Sequence, residues 1–434
     1  HLIVTKQQGQ IGCQKIGATK ILSTFVVGKI FLTTMEYVYL GILIFIFCLA
    51  IFDLIVGVSN DAVNFLNSAV GAKTASFKVI LLLAAIGVFF GAATSNGMMD
   101  VARHGIFQPQ YFTFVEIMCI LMAVMVTDVI LLDTFNSLGM PTSTTVSLVF
   151  ELLGGTVALA MLKSIATEGE LTFAQMINTD KVFTVVLGIF LSIAIAFFFG
   201  MLIQWLTRVL FTFNYKKNLK WFAGLFGGIA TTAIIYFMLF KGLKDSSFMT
   251  PENKAWISEH TSELLAYVFV GSAILMQVLH WCRVNILKVI VLMGTFALAM
   301  AFAGNDLVNF IGIPLTGLAT YQDYMANGQA VGMDAFTLES LNEPANTPIV
   351  FLLAAGAIMV FALVTSKKAR NVINTSINLS KQDDGDEMFG TSRVARRLVL
   401  TFNSIANWFI KITPEPVALW IDKRFNKDEM IMEK

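Results

Sequence analysis

The chemistry in this chain concentrates in two short segments that nearly repeat each other. Asn60-Asp61-Ala62-Val63-Asn64-Phe65 and Asn305-Asp306-Leu307-Val308-Asn309-Phe310 agree at five of six positions. Asn60, Asn64 and Asn67 are spaced to share one helical face, as are Asn305 and Asn309. Carboxylate and carboxamide oxygens are hard ligands that suit a small cation such as Na+. Asp61 and Asp306 are therefore the predicted cation ligands, assisted by Asn60 and Asn305. The competing use of Asn-Asp is to cap a helix at the end of a span. A second copy, read in the opposite orientation, favours ligation.

A third element is Gly139-Met140-Pro141-Thr142-Ser143-Thr144-Thr145, which leads into an apolar run. Proline suits the first turn of a helix. Backbone N–H groups there lack intrahelical acceptors, and with the helix dipole they bind anions. Hydroxyls add neutral donors without fixing charge. Ser143, Thr144 and Thr145, joined by Asn64 and Asn309, are the predicted contacts of a tetrahedral oxyanion such as phosphate. Taken alone, Ser/Thr at a helix start is more often simple capping.

Other acids fall within apolar stretches. Asp53 lies two turns before Asn60-Asp61, Asp128 is in 115–132, and Glu151 is in 146–162. An acid at membrane depth is costly unless paired and defaults to a functional reading, so all three are candidates for an ion pathway. Asp133 reads as interfacial, and Arg103-His104 as a solvated pair between spans. The four cysteines show no metal-ligand spacing. Cys48, Cys119 and Cys282, in or beside apolar runs, are expected as packing residues. No HExxH or GxSxG motif occurs, so neither an enzyme nor a cofactor is expected, nor a metal beyond the cation itself.

These residues need a membrane scaffold. Hydrophobic residues make up 56% of the 434 and charged ones 14%, against about 25% charged in soluble domains; mean hydropathy is +0.73. A hydrocarbon core about 30 Å thick takes roughly 20 helical residues. Runs of that kind occur near 36–56, 79–95, 115–132, 182–206, 221–240, 264–282, 286–304 and 348–365. Segment 146–162 is interrupted by Gly154-Gly155 and is expected as a re-entrant hairpin or one flexible span. Lys/Arg placement puts loop 207–220 on the cytoplasmic side, acidic segment 321–347 outside, and Lys367, Lys368 and Arg370 inside again. Lys73 and Lys78 suggest that helix 36–56 runs inward into the first Asn-Asp copy, while 286–304 runs outward into the second. Opposed copies of this kind mark inverted-repeat transporters, whose sites form near the midplane from broken helices.

At these residues the chain resembles the inorganic phosphate transporter (PiT) family, over roughly 36–365. That family carries G-A-N-D-V-A-N in each of two inverted halves and P-x-S-T-T-H in paired hairpins. Matching positions are Asn60, Asp61 and Asn64; Asn305, Asp306 and Asn309; and Pro141, Ser143, Thr144 and Thr145. The resemblance implies alternating-access phosphate import coupled to Na+ or H+, with ion and substrate bound where the halves meet. Departures are Val58-Ser59 for the first G-A pair, Ala303-Gly304 for the second, a reshuffled D-V-A-N, and Val146 in place of the histidine. Loss of that titratable group tilts the expectation toward Na+. No second P-x-S-T-T occurs up to Lys434, and a second hairpin is expected downstream.

The expected fold class is all-α, a polytopic membrane protein with inverted repeats. Its expected divisions are 1–34, an upstream extension foreign to the rest; 35–206, the first repeat; 207–285, connecting helices; 286–365, the start of the second repeat; and 366–434, a cytoplasmic tail. In the tail, Val394, Leu398, Phe402, Ile405, Phe409 and Ile412 repeat at helical spacing beside Arg393, Arg396 and Arg397, and 381–387 reads as a solvated linker. A lipid-surface helix and one packed on protein fit that pattern equally. Expected partners are phosphate, the cation and the bilayer of the cytoplasmic or plasma membrane, compatible with a homo-oligomer and without nucleic acid. Competing functions are carriage of sulfate or arsenate, an anion channel, or a membrane receptor.

Overall fold

Apolar runs too long and too uniformly hydrophobic for water become helices, because a helix satisfies every internal backbone group within itself. The computed structural model describes residues 2–95, 105–239, 250–342, 347–380, 390 and 392–426, with side chains from Met35 onward. Arg103-His104 and the 381–387 linker lie outside the described residues.

In chain order the helices are α1 (Leu2–Gly71), α2 (Phe77–Thr94), α3 (Phe114–Leu138), α4 (Thr144–Ala166), α5 (Phe173–Met176), α6 (Thr179–Phe211) and α7 (Tyr215–Phe237). They continue with α8 (Pro251–Glu259), α9 (Thr261–Trp281), α10 (Ile286–Asp323), α11 (Ile349–Thr365), α12 (Lys367–Leu379), α13 (Arg393–Ile412) and α14 (Glu415–Arg424). Among the described residues, eight helices are long and apolar enough to cross a membrane. α11 and α12 form a further pair bent by 67°. The protein is an all-α, multi-pass membrane protein.

Inside lipid, helices associate by close packing and hydrogen bonds more than by hydrophobicity. Small residues accordingly mark the tightest seam. Gly87 and Gly91 of α2 face the α10 backbone at Phe296 and Met300, and a β-carbon added at Gly91 would stand 2.0 Å from the Met300 carbonyl oxygen. Ser95 Oγ donates to the Gly304 carbonyl at 2.7 Å, extending this parallel pairing. α10 crosses α1 in the opposite sense: the Phe310 ring covers Gly57, whereas Leu43 reaches Gly317. The two Asn-Asp segments thus lie on antiparallel helices.

α3 and α4 form a helical hairpin. Its open end is fixed by a capping box, with the Thr113 N–H donating to Glu116 Oε2 at 2.8 Å and Lys163 of α4 paired to the same oxygen at 2.7 Å. Its tip turns at Gly139, whose φ of 68° is the left-handed conformation that glycine adopts without steric cost. Of the two readings of 146–162, the single span holds: α4 runs unbroken through Gly154-Gly155 and is long and apolar enough to cross a membrane, because a glycine pair weakens a helix without ending it. α3 and α4 thus pair antiparallel over their length, each long and apolar enough to cross a membrane. Nor are the helices broken at the Asn-Asp copies: α1 and α10 continue through both, and the bend falls instead between α11 and α12 at Ser366.

The charged segment after 365 is not all solvated. α12 buries Ala369, Val372, Ile373 and Thr375 and bonds to α1 through Asn67 Nδ2 to Ser376 Oγ, 2.8 Å. Lys368 pairs with Asp133 at 2.6 Å, both about half exposed, which fits the interfacial reading of Asp133. α13 presents exposed residues along its whole length and stops before Pro414. Cys48, Cys119 and Cys282 are exposed free thiols on the outer helix faces, not core packing residues.

Candidate functional site

The hairpin tip is held against the middle of α1 by a buried amide network centred on Asn60. Asn60 is fully buried. Its Oδ1 accepts from the Thr142 N–H at 2.8 Å, while Nδ2 donates to Asn136 Oδ1 at 2.7 Å and the Met140 carbonyl at 3.1 Å. Asn136 in turn donates to the Val56 carbonyl at 2.7 Å. These bonds tie the hairpin tip to α1, while Asn60 Oδ1, accepting one N–H, keeps a second lone pair of the kind a cation ligand uses. Asn60→Ala should orphan several buried groups, each worth about 1–3 kcal/mol, visible as a lower thermal midpoint of the detergent-solubilised protein. An unchanged midpoint would show that the loop is held by something else.

Locking the tip places the start of α4 between the two Asn-Asp copies. Thr144 Oγ1 reaches Asp61 Oδ2 at 3.4 Å. From the opposite side, Asn309 Nδ2 donates to Thr145 Oγ1 at 2.9 Å and to Thr144 Oγ1 at 3.3 Å, and Thr145 bonds the Asp306 carboxylate. Asn309 and Asn305 also donate to Asp306 Oδ1, at 3.5 and 3.2 Å. Asp61, Asp306 and Asn309 are at most 6% exposed and Thr144 is 2% exposed. Three chain segments predicted separately thus meet at one buried crossing of α1, α10 and the α4 N-terminus.

The remaining predicted residues ring this crossing. Ser143 caps α4 by accepting from the Val146 N–H at 3.3 Å, while the Thr144 and Thr145 amides occupy the first-turn positions that have no intrahelical acceptor. Ser143, Asn64 and Asn305 are exposed. Asn64 therefore does not join Asn60 in the buried interior, although spacing set them on one face; Asn60 is enclosed by the hairpin. The pathway candidates Asp53, Asp128 and Glu151 gather in a separate cluster beside the crossing, around Ser147.

Neither Asn136 nor Ser147 is singled out by motif. Asn136 stands eight residues after Asp128 in a mostly apolar helix, so an amide two turns beyond an intramembrane acid was the available signal. Ser147 extends the Ser143 register by four residues. The competing use of Asn-Asp as a helix cap fails at both copies, since each lies inside a continuous helix.

Two comparisons bear on this geometry. A solved structure described as the sodium-dependent phosphate transporter is similar with a TM-score of 0.54 and 17% identity, covering 78% of this chain and 82% of that one. At that identity the likeness shows a shared fold. Among curated proteins none matches. The model of the phosphate transporter family matches residues 57–376, a stretch that takes in both Asn-Asp copies, the α3–α4 hairpin and all but the last turn of α12. The chain belongs to the phosphate transporter family.

Proposed function

We propose that this protein imports orthophosphate together with a cation by alternating access, in the plasma or inner membrane, using the crossing of α1, α10 and the α4 N-terminus as its shared site. The observation that carries the reading is that α4's first hydroxyls bond to both opposed Asn-Asp copies at once. Asp61 and Asp306 supply carboxylate oxygens for the cation, and Asn305 orients Asp306. Ser143, Thr144 and Thr145, with the first-turn amides of α4 and with Asn64 and Asn309, meet the anion. Phosphate carries the charge that makes such adjacency useful: a cation between the acids offsets the repulsion that Asp61 and Asp306 would otherwise exert on it.

Na+ is the coupling ion best matched to these groups. The ligands are hard oxygens, Val146 offers no titratable side chain, and the structural neighbour is described as sodium-dependent. Uptake of radiolabelled phosphate by proteoliposomes holding the full-length protein tests this. An inward Na+ gradient should drive saturable accumulation that excess sulfate leaves intact. Equal inhibition by sulfate and phosphate would make the carrier a general oxyanion transporter, and phosphate current without any coupling gradient would make it a channel.

A further inference from the structure

Beside the crossing lies a second acidic cluster that the phosphate site does not use. Asp53 of α1 and Asp128 of α3 are buried, at 0% and 1% exposure, and their carboxyl groups reach each other. Both Asp53 oxygens, Asp128 Oδ2 and Glu151 Oε2 are buried without a donor. Ser147 Oγ lies 2.7 Å from both Asp128 Oδ1 and Glu151 Oε1, yet a hydroxyl has one proton to give. Asp128 and Glu151 therefore share one donor, and Asp53 has none. Lys163, the basic residue of α4, is committed to Glu116.

Carboxylates buried in contact, with no basic partner, require positive charge from elsewhere. Divalent ions want six or more oxygens in a defined shell, and the described residues contain no ready-made group of three acidic, His or Cys ligands for a metal. A single charge shared by the contacting pair fits better. The Glu151 side of the cluster borders a groove, whereas Asp53 and Asp128 lie behind it. This groove of about 540 Å³ between α3 and α4 is lined by Thr142 and Ser143 at the hairpin tip and by Ser147 and Glu151 further along.

We propose that the buried Asp53–Asp128 pair, with Glu151 held beside it through the Ser147 hydroxyl, forms a second cation-binding site that takes one monovalent hard cation, Na+ or a proton. It is distinct from the Asn-Asp crossing: Asp53 precedes Asp61 by eight residues, about 12 Å along the helix. Only its role as a second coupling ion rests on the transport reading; cation binding itself does not.

The test uses the purified full-length protein in liposomes. Radiolabelled Na+ binding is compared in wild type, Asp53→Asn with Asp128→Asn, Glu151→Gln and Asp61→Asn, alongside the infrared absorption of protonated carboxyl groups. If the cation is Na+, Asp53→Asn/Asp128→Asn loses one Na+ per protein and Glu151→Gln weakens that same ion about tenfold or more, while Asp61→Asn removes a different one. If it is a proton, a protonated-carboxyl band insensitive to Na+ disappears in the Asn pair and shifts in Glu151→Gln. Should the buried pair fail to fold, the half-buried Glu151→Gln decides alone. Folded variants with unchanged Na+ stoichiometry and an unchanged carboxyl band overturn the proposal. Phosphate binding in the same wild-type sample keeps the two ideas separate, since its absence defeats the transport reading and leaves the cation count standing.

Discussion

Asp61→Ala and Asp306→Ala should each reduce cation-driven phosphate uptake to background. Each acid is almost fully buried and bonded to the start of α4, so each truncation removes a ligand and detaches a hydroxyl of the anion site. Loss of outer-shell partners alone typically weakens metal sites 10–100-fold, and loss of a direct carboxylate should reach at least the upper end. The isosteric Asp61→Asn and Asp306→Asn keep volume while removing charge, so they separate ligation from packing. Uptake in proteoliposomes at saturating Na+ is the measurement. Normal transport by either Ala variant would remove that acid from the cation site.

The second large effect is structural. Gly91→Val should cost about 3 kcal/mol or more, the upper range for overpacking, because its β-carbon would sit 2.0 Å from a backbone oxygen of α10. Backbone cannot rotate away as a side chain can, so α2 must separate from α10, the helix that carries Asp306. Gly154→Ala offers the contrast. Nothing lies within 4 Å of a β-carbon there, and replacing a mid-helix glycine should stabilise α4 by about 0.5–1 kcal/mol. Thermal midpoints in detergent should therefore fall steeply for Gly91→Val and rise slightly for Gly154→Ala. Equal midpoints for Gly91→Val and wild type would mean that the α2–α10 seam does not bear on stability.

The crossing could be anticipated because its residues violate the surrounding composition. An Asn-Asp in a hydrophobic helix is conspicuous, and so is a hydroxyl run after a proline. Opposed orientation followed from loop charges far from the site. What residue spacing could not supply was the partition of labour among similar groups. Asn60 and Asn64 are four residues apart and nominally on one face, yet one is sealed beneath the hairpin tip and the other is exposed. That difference depends on where α3 ends, a tertiary fact. The Gly154-Gly155 pair left a hairpin and a single span open for a related reason: helix continuity there is set by the packing of α4 along α3, which overrides local propensity. α12 looked like solvated tail because its charged residues, Lys367, Lys368 and Arg370, dominate its composition. Its narrow apolar stripe of Ala369, Val372 and Ile373 was enough to seat it under α1 and α3.

Cation and oxyanion sharing one compartment must influence each other's affinity equally, as linkage requires. Equilibrium binding of radiolabelled phosphate to the purified full-length protein, measured across Na+ concentrations and pH, probes this directly. Na+ should tighten phosphate binding by at least about fivefold, phosphate should tighten Na+ binding by the same factor, and Asp306→Ala should abolish both effects. Phosphate affinity that responds to neither Na+ nor pH would contradict a shared site at the meeting of α1, α10 and α4.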